Sequence, residues 1–111
     1  MTSEGKKPKA LDIKGVRKVV IAALANDGYY IESFSLHCRF DHPERHLSID
    51  DLIFGLKREW SGCKVDEFDD DEWQWKYLVK TTDVEGFPLV VVVALDPRNN
   101  RFTVVTSFYD D

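Results

Sequence analysis

Two segments of the chain carry hydrophobic residues at helical spacing. The apolar residues of 13–26 recur at i, i+3, i+4 and i+7, and Asp12 stands where a helix N-cap is expected. In the second segment Ser48 is an N-cap with Asp51 three positions on, and the apolar residues that follow fall on one face. The pattern therefore predicts one helix over 13–26 and another over 48–60.

From residue 63 onwards the hydrophobic period changes to two, and turn-forming residues recur at short intervals. This pattern predicts four strands, at about 63–68, 73–82, 88–95 and 101–109. The loops between them are too short for parallel crossovers, so we expect an antiparallel meander. Helices followed by strands are typical of the α+β class, and we expect two helices packed on one face of a four-stranded antiparallel meander sheet.

The connection between the two helices permits two interpretations. Residues 34–41 alternate apolar and polar, which is the period of a strand. A helix is the alternative, and it would bring His37 and Asp41 together at i, i+4 spacing. Pro43 disfavours helical backbone at the residue before it, so a helix here would be short or would restart at the proline.

The length of 111 residues fits a single domain, which we place at 12–111 after a lysine-rich flexible tail over 1–11. The longest apolar run, Leu89–Leu95, is far shorter than the ~20 residues that cross a bilayer, and it is typical of a buried strand. The first residues lack the apolar stretch of a signal peptide. We therefore expect a cytoplasmic protein with no membrane association.

The net charge of −5 and the pI near 5.1 affect the classes of function that fit the chain. Nucleic-acid binding draws much of its affinity from neutralised phosphates, so a general nucleic-acid coat protein would be basic. The acidic balance disfavours that class. It leaves open an RNA site confined to a local basic patch.

The connection between the helices also contains all three histidines, which raises the question of a metal site. Cys38, His42 and His46 fall at i, i+4 and i+8 and could bind zinc together with Cys63. They share a face only in a continuous helix, which Pro43 opposes. We therefore expect neither a metal nor another cofactor.

The same connection contains a candidate acid–base site. Histidine is the side chain suited to acid–base chemistry near neutrality, so His37 could act as acid or base, and Arg39 and Arg45 could hold a phosphate or a developing oxyanion. The alternative for His37 is a structural hydrogen bond. The alternative for Arg45 is an ion pair with Asp50 or Asp51 before the second helix.

The acidic run Asp66–Glu72 begins within the first predicted strand and ends in the loop Asp69, Asp70, Asp71 and Glu72. The usual meaning of such a run is a solvated turn. The functional alternative is a negatively charged contact surface for a basic partner. Trp73 and Trp75 follow the loop and are predicted to share one strand face, in the core or at an interface.

The motifs of the chain resemble those of a known family. The matching residues are Ser35-Leu36-His37-Cys38, Glu44-Arg45, Leu47-Ser48-Ile49-Asp50-Asp51 and Val104-Val105-Thr106-Ser107-Phe108. They are similar to a small uncharacterised bacterial domain with an S-x-H-A-x-x-R…e-R-x-I-S-x-x-D pattern and a final V-V-T strand. That family is grouped with RelE-like toxins and the barnase–EndoU–colicin–RelE fold, whose better-known members are metal-independent ribonucleases.

The resemblance implies roles for four residues. His37 would act as acid or base, Arg39 and Arg45 would bind phosphate, and the Thr106 hydroxyl would position the substrate. RNA or a cognate antitoxin-like protein would be the partner. Asp41 departs from the pattern, because it stands where the family usually has an arginine and its charge repels phosphate. The second hypothesis is therefore a non-enzymatic protein-interaction domain that uses the acidic residues of 66–72 and the nearby tryptophans against a basic partner.

Overall fold

The computed structural model describes residues 7–31 and 48–110 of the chain. In these ranges the chain forms two α-helices and five strands. In chain order they are α1 (Ile13–Ala25), β1 (Tyr29–Ile31), α2 (Ile49–Lys57), β2 (Gly62–Asp69), β3 (Gln74–Thr82), β4 (Pro88–Asp96) and β5 (Arg101–Tyr109). A short 3₁₀ turn, Pro97–Asn99, joins β4 to β5.

The strands form one sheet in the order β1-β5-β4-β3-β2. The α+β class and the predicted meander are confirmed, since β2 to β5 each pair antiparallel with the next strand. The predicted count of four strands is wrong, because β1 adds a fifth that pairs in parallel with β5. With three residues, β1 is too short to show an alternating pattern, and no local turn signals its distant partner.

Both helices begin at the predicted caps. The Asp12 carboxylate accepts a hydrogen bond from the Gly15 amide, and Ser48 and Asp51 form both halves of the capping box. These side chains satisfy amide groups that have no partner within the helix. The helix N-termini are thus the most accurately predicted local features of the chain.

The end of α2 lies three residues before the predicted end at position 60. The guanidinium of Arg17, from α1, donates to the carbonyls of Lys57 and Arg58 at 2.9 and 2.7 Å. It also lies 5.1 Å from the centre of the Trp60 ring. Arg17 therefore binds carbonyls that the last helical turn leaves without amide partners, and it links α2 to α1.

The hydrophobic core contains residues from both helices and from the sheet. The central strand β4 is the most buried element, and all seven residues of 89–95 are at most 6% exposed, as expected for this run. On the helices, the buried residues are Val16, Val19, Val20, Ala23, Leu24, Leu52, Gly55 and Leu56. The apolar stripes predicted from the sequence are therefore the faces that pack.

Helix α2 approaches β3 closely at Gly55. The Thr81 hydroxyl donates a hydrogen bond of 2.7 Å to the Gly55 carbonyl. A Cβ at position 55 would lie 2.9 Å from the Thr81 methyl group and 3.0 Å from the Thr82 carbonyl oxygen. Only glycine fits this contact without displacing the helix.

Candidate functional site

The described residues place two of the predicted functional features, in different parts of the sheet. Thr106 lies in the middle of β5, and the acidic loop 69–72 connects β2 to β3. From the strand spacing and the rise per residue, about 20 Å separates them. His37, Arg39 and Arg45 lie outside the described residues, and their predicted roles stay predictions.

The four acidic residues of the loop divide into one structural residue and three exposed ones. Asp69 is half-buried, and its carboxylate accepts hydrogen bonds from the amides of Asp71 and Glu72, at 2.9 and 3.1 Å. Asp69 therefore forms the turn. The side chains of Asp70, Asp71 and Glu72 are exposed, and within the described ranges none of the three forms an ion pair.

Three aromatic side chains lie directly beside these carboxylates. Phe68 contacts the Trp73 and Trp75 rings edge to face, with centroids 4.9 and 5.1 Å apart. Trp73 is 43% exposed and has φ +57°, a left-handed backbone conformation that is uncommon for a bulky residue. The expectation that Trp73 begins β3 is thus wrong, because it lies in the turn. We call Phe68, Trp73 and Trp75 the aromatic cluster.

Residues 7–11, which lie within the predicted tail, contact the aromatic cluster and the adjoining strand. The ammonium of Lys7 lies 5.3 Å from the centre of the Phe68 ring and 5.9 Å from that of Trp75. The indole nitrogen of Trp75 donates to the Pro8 carbonyl at 2.6 Å. The Leu11 amide donates to the Tyr77 hydroxyl at 2.9 Å. We call residues 7–11 the N-terminal segment.

A groove of about 670 Å³ lies between the aromatic cluster, the N-terminal segment and the β4–β5 turn. Trp73, Trp75 and Leu95 contribute apolar surface, Glu72 and Asp96 contribute carboxylates, and Lys9 and Arg98 contribute cations. A groove with apolar walls and charged groups at its margin suits a ligand that has both an aliphatic part and a charged group.

Thr106 belongs to a different surface, on the face of the sheet opposite the core. One row across four strands contains Thr106, Val92, Leu78 and Lys64. Residues opposite one another in a ladder project from the same face, so the exposed Lys64 lies on the Thr106 side of the sheet. Lys80, two residues after Leu78 on β3, shares that face.

Cys63, considered above as a fourth zinc ligand, is half-buried on β2. Burial raises the pKa of its thiol to about 11, which disfavours the thiolate that metals bind. Burial also raises the pKa of the neighbouring Tyr77 phenol. Across residues 7–31 and 48–110, the acidic, histidine and cysteine side chains form no group of three or more suited to a metal ion.

Comparison with family models, with curated proteins and with solved structures finds no match to this chain. None of the helices in the described part is long and apolar enough to cross a membrane.

Sequence reasoning identified the acidic loop but missed the residues that complete the site. Phe68 interrupts the acidic run, and Lys7 and Pro8 lie some sixty residues before it. The isolated Phe68 among carboxylates was the available signal, since an apolar residue in a solvated turn needs a packing partner. The contact from the N-terminal segment had no local signal.

Proposed function

We propose that the chain is a protein-interaction domain that binds a basic partner at the acidic end of the β2–β3 hairpin. The observation that supports this most strongly is the placement of an exposed indole, Trp73, directly after three exposed carboxylates without ion-pair partners in the described part. The carboxylates attract and orient a basic segment, and the indole supplies a rigid contact area.

The charges at the hairpin end favour binding of a partner and do not stabilise the free chain. Three like charges in consecutive positions repel one another, and the left-handed backbone at Trp73 carries conformational strain. A basic partner would relieve the repulsion. It would also cover the part of the indole that faces solvent.

The proposal is tested with a fluorescein-labelled octalysine peptide, whose binding to the full chain is followed by fluorescence anisotropy. The test variant is Asp70→Asn/Asp71→Asn/Glu72→Gln. Each lost exposed pair is worth about 0.5 kcal/mol at low salt, so the variant is expected to bind about tenfold more weakly. Asp69 is left intact because it forms the turn.

The matched control neutralises three exposed acids at the opposite end of the sheet. It is the variant Glu59→Gln/Glu85→Gln/Asp110→Asn. Its net charge is the same as that of the test variant, so long-range attraction changes equally in the two. Equal loss of affinity in both variants, or no loss in either, would contradict a site at the hairpin.

A second candidate function is the RelE-like one, in which the chain binds or cleaves RNA without a metal and associates with an antitoxin-like protein. The register favours it, because Lys64 and Lys80 share one face of the sheet with Thr106. Such a face offers phosphate-binding charge beside the proposed positioning hydroxyl. His37 would supply the proton transfer, with Arg39 and Arg45 as further phosphate ligands.

This second function is tested in cells and with a labelled single-stranded RNA. Expression of the full chain is expected to inhibit growth, and His37→Ala is expected to abolish the inhibition. Lys64→Ala/Lys80→Ala is expected to reduce the salt dependence of RNA binding by about two charges. The control replaces Lys14 and Lys18, which are exposed on α1. An absence of both toxicity and RNA cleavage would exclude this function.

A further inference from the structure

We propose that the N-terminal segment is an internal competitor for the partner site, and that the partner binds through an extended, lysine-containing segment that replaces it. This inference rests on the proposed interaction function and specifies the occupant of the site. It also adds a regulatory contact, because the Phe68 and Trp75 part of the site is free only when residues 7–11 are released.

The contacts of the N-terminal segment are those expected of a bound basic peptide. Its lysine, Lys7, lies near two rings of the aromatic cluster, at 5.3 and 5.9 Å. Its main chain supplies the Pro8 carbonyl to the Trp75 indole. A lysine on an aromatic face and a carbonyl bound by an indole are features that many other segments can reproduce.

The groove beside the N-terminal segment has room for a longer basic segment from a partner. The space of about 670 Å³ continues from Pro8 along Trp73 towards the β4–β5 turn, with Glu72 and Asp96 at its margin. A longer basic segment would keep the contacts of Lys7 and add a charge near these carboxylates. Release of the N-terminal segment removes Lys9 from the lining and leaves Glu72 and Asp96 with Arg98. Together with the exposed Asp70 and Asp71 of the hairpin end, these carboxylates favour a basic occupant over an acidic one.

The attachment of the segment is slight enough to permit exchange. Residues 7–9 are exposed, and the hydrogen bonds that hold the segment to the sheet in the described structure are those of Pro8 and Leu11. Segments with few buried contacts open more readily than the core. A competitor in the same chain lowers the apparent affinity for an external ligand by the fraction of time that it leaves the site free.

The test uses a fluorescein-labelled peptide with the sequence KKPKAL, which is that of residues 6–11, and the full chain. Lys7→Ala removes the lysine from the rings and is expected to tighten binding of the peptide about fivefold, because the internal competitor is weakened. Lys9→Ala is the matched control, since it removes the same charge two residues away, and no ring contact is found for Lys9 within the described ranges. It is expected to change the affinity at most about twofold.

Trp75→Phe provides an independent measurement, since it removes the indole donor and keeps an aromatic ring. It is expected to weaken peptide binding severalfold in the Lys7→Ala background. Equal peptide affinities of the unmodified chain, Lys7→Ala and Lys9→Ala would overturn the competition while leaving the proposed interaction function in place. Failure of the peptide to bind Lys7→Ala would also overturn it. Binding that is unchanged in the hairpin acid variant described above would contradict the proposed function itself.

Discussion

At Trp73 we predict that a glycine variant is more stable than an alanine variant, which reverses the usual order. Replacement of an exposed residue by alanine is normally less damaging than replacement by glycine, because glycine gains more conformational freedom in the unfolded chain. At Trp73 the backbone has φ +57°, which glycine adopts without steric penalty. We expect Trp73→Gly to be more stable than Trp73→Ala.

The magnitude follows from two opposing contributions. A left-handed backbone costs an L-residue about 1–2 kcal/mol, whereas the greater freedom of unfolded glycine costs about 0.4–1 kcal/mol. The free energy of unfolding of Trp73→Gly is therefore expected to be about 1 kcal/mol higher than that of Trp73→Ala. Both variants lose the edge contact with Phe68, worth about 0.5–1.5 kcal/mol, so this loss cancels in the comparison.

The assay is urea denaturation followed by circular dichroism, since the substitution alters tryptophan fluorescence. Trp75, which follows on β3 at ordinary strand dihedrals, provides the control, and there alanine is expected to be the more stable variant. If Trp73→Ala proves at least as stable as Trp73→Gly, the left-handed turn that presents this indole is refuted.

Three further predictions concern packing and titration. Gly55→Ala is expected to lower the free energy of unfolding by about 1–3 kcal/mol through its clash with Thr81, as measured by urea denaturation. Arg17→Ala is expected to lower it by about 2 kcal/mol, because α2 loses two carbonyl ligands and Trp60 loses a stacked cation, while Arg17→Lys restores part of the loss. With its pKa raised to about 11, the Cys63 thiol is expected to alkylate slowly at pH 8, as followed by mass spectrometry of its peptide.

The raised pKa of the Cys63 thiol also predicts how the stability of the folded chain changes with pH. The thiol pKa is about 11 in the folded chain and near 9 when unfolded, so the folded state holds the proton more tightly. Between these values the unfolded chain loses its proton first, and stability falls as the pH rises from about 9 to 11. A rise in stability over this range would contradict the burial of the thiol.

The elements that the sequence predicted correctly are those encoded by neighbouring residues. The caps at Asp12 and Ser48 and the apolar stripes behind them need only local spacing, and both helices begin where expected. The meander follows from short loops between alternating segments. In each case the physical cause lies within one element or between adjacent ones.

The features that sequence reasoning missed depend on contacts between distant parts of the chain. Strand β1 pairs with β5, and the Pro8 carbonyl meets Trp75, with most of the domain between the partners in sequence. The left-handed turn at Trp73 also escaped prediction, since a tryptophan after an acidic loop suggests the start of a strand. Of the candidate site, the charges and the neighbouring tryptophans were therefore predictable, whereas the turn conformation and the contact from the N-terminal segment were not.

The central claim is that the acidic hairpin end binds a basic segment, and chemical-shift mapping tests it most directly. Octalysine is titrated into the ¹⁵N-labelled full chain. We expect the largest shifts at the amides of Asp70, Asp71 and Glu72 and at the indole N–H groups of Trp73 and Trp75. Shifts spread evenly over the exposed acids of both sheet ends, or largest on the face that carries Thr106, would contradict the claim.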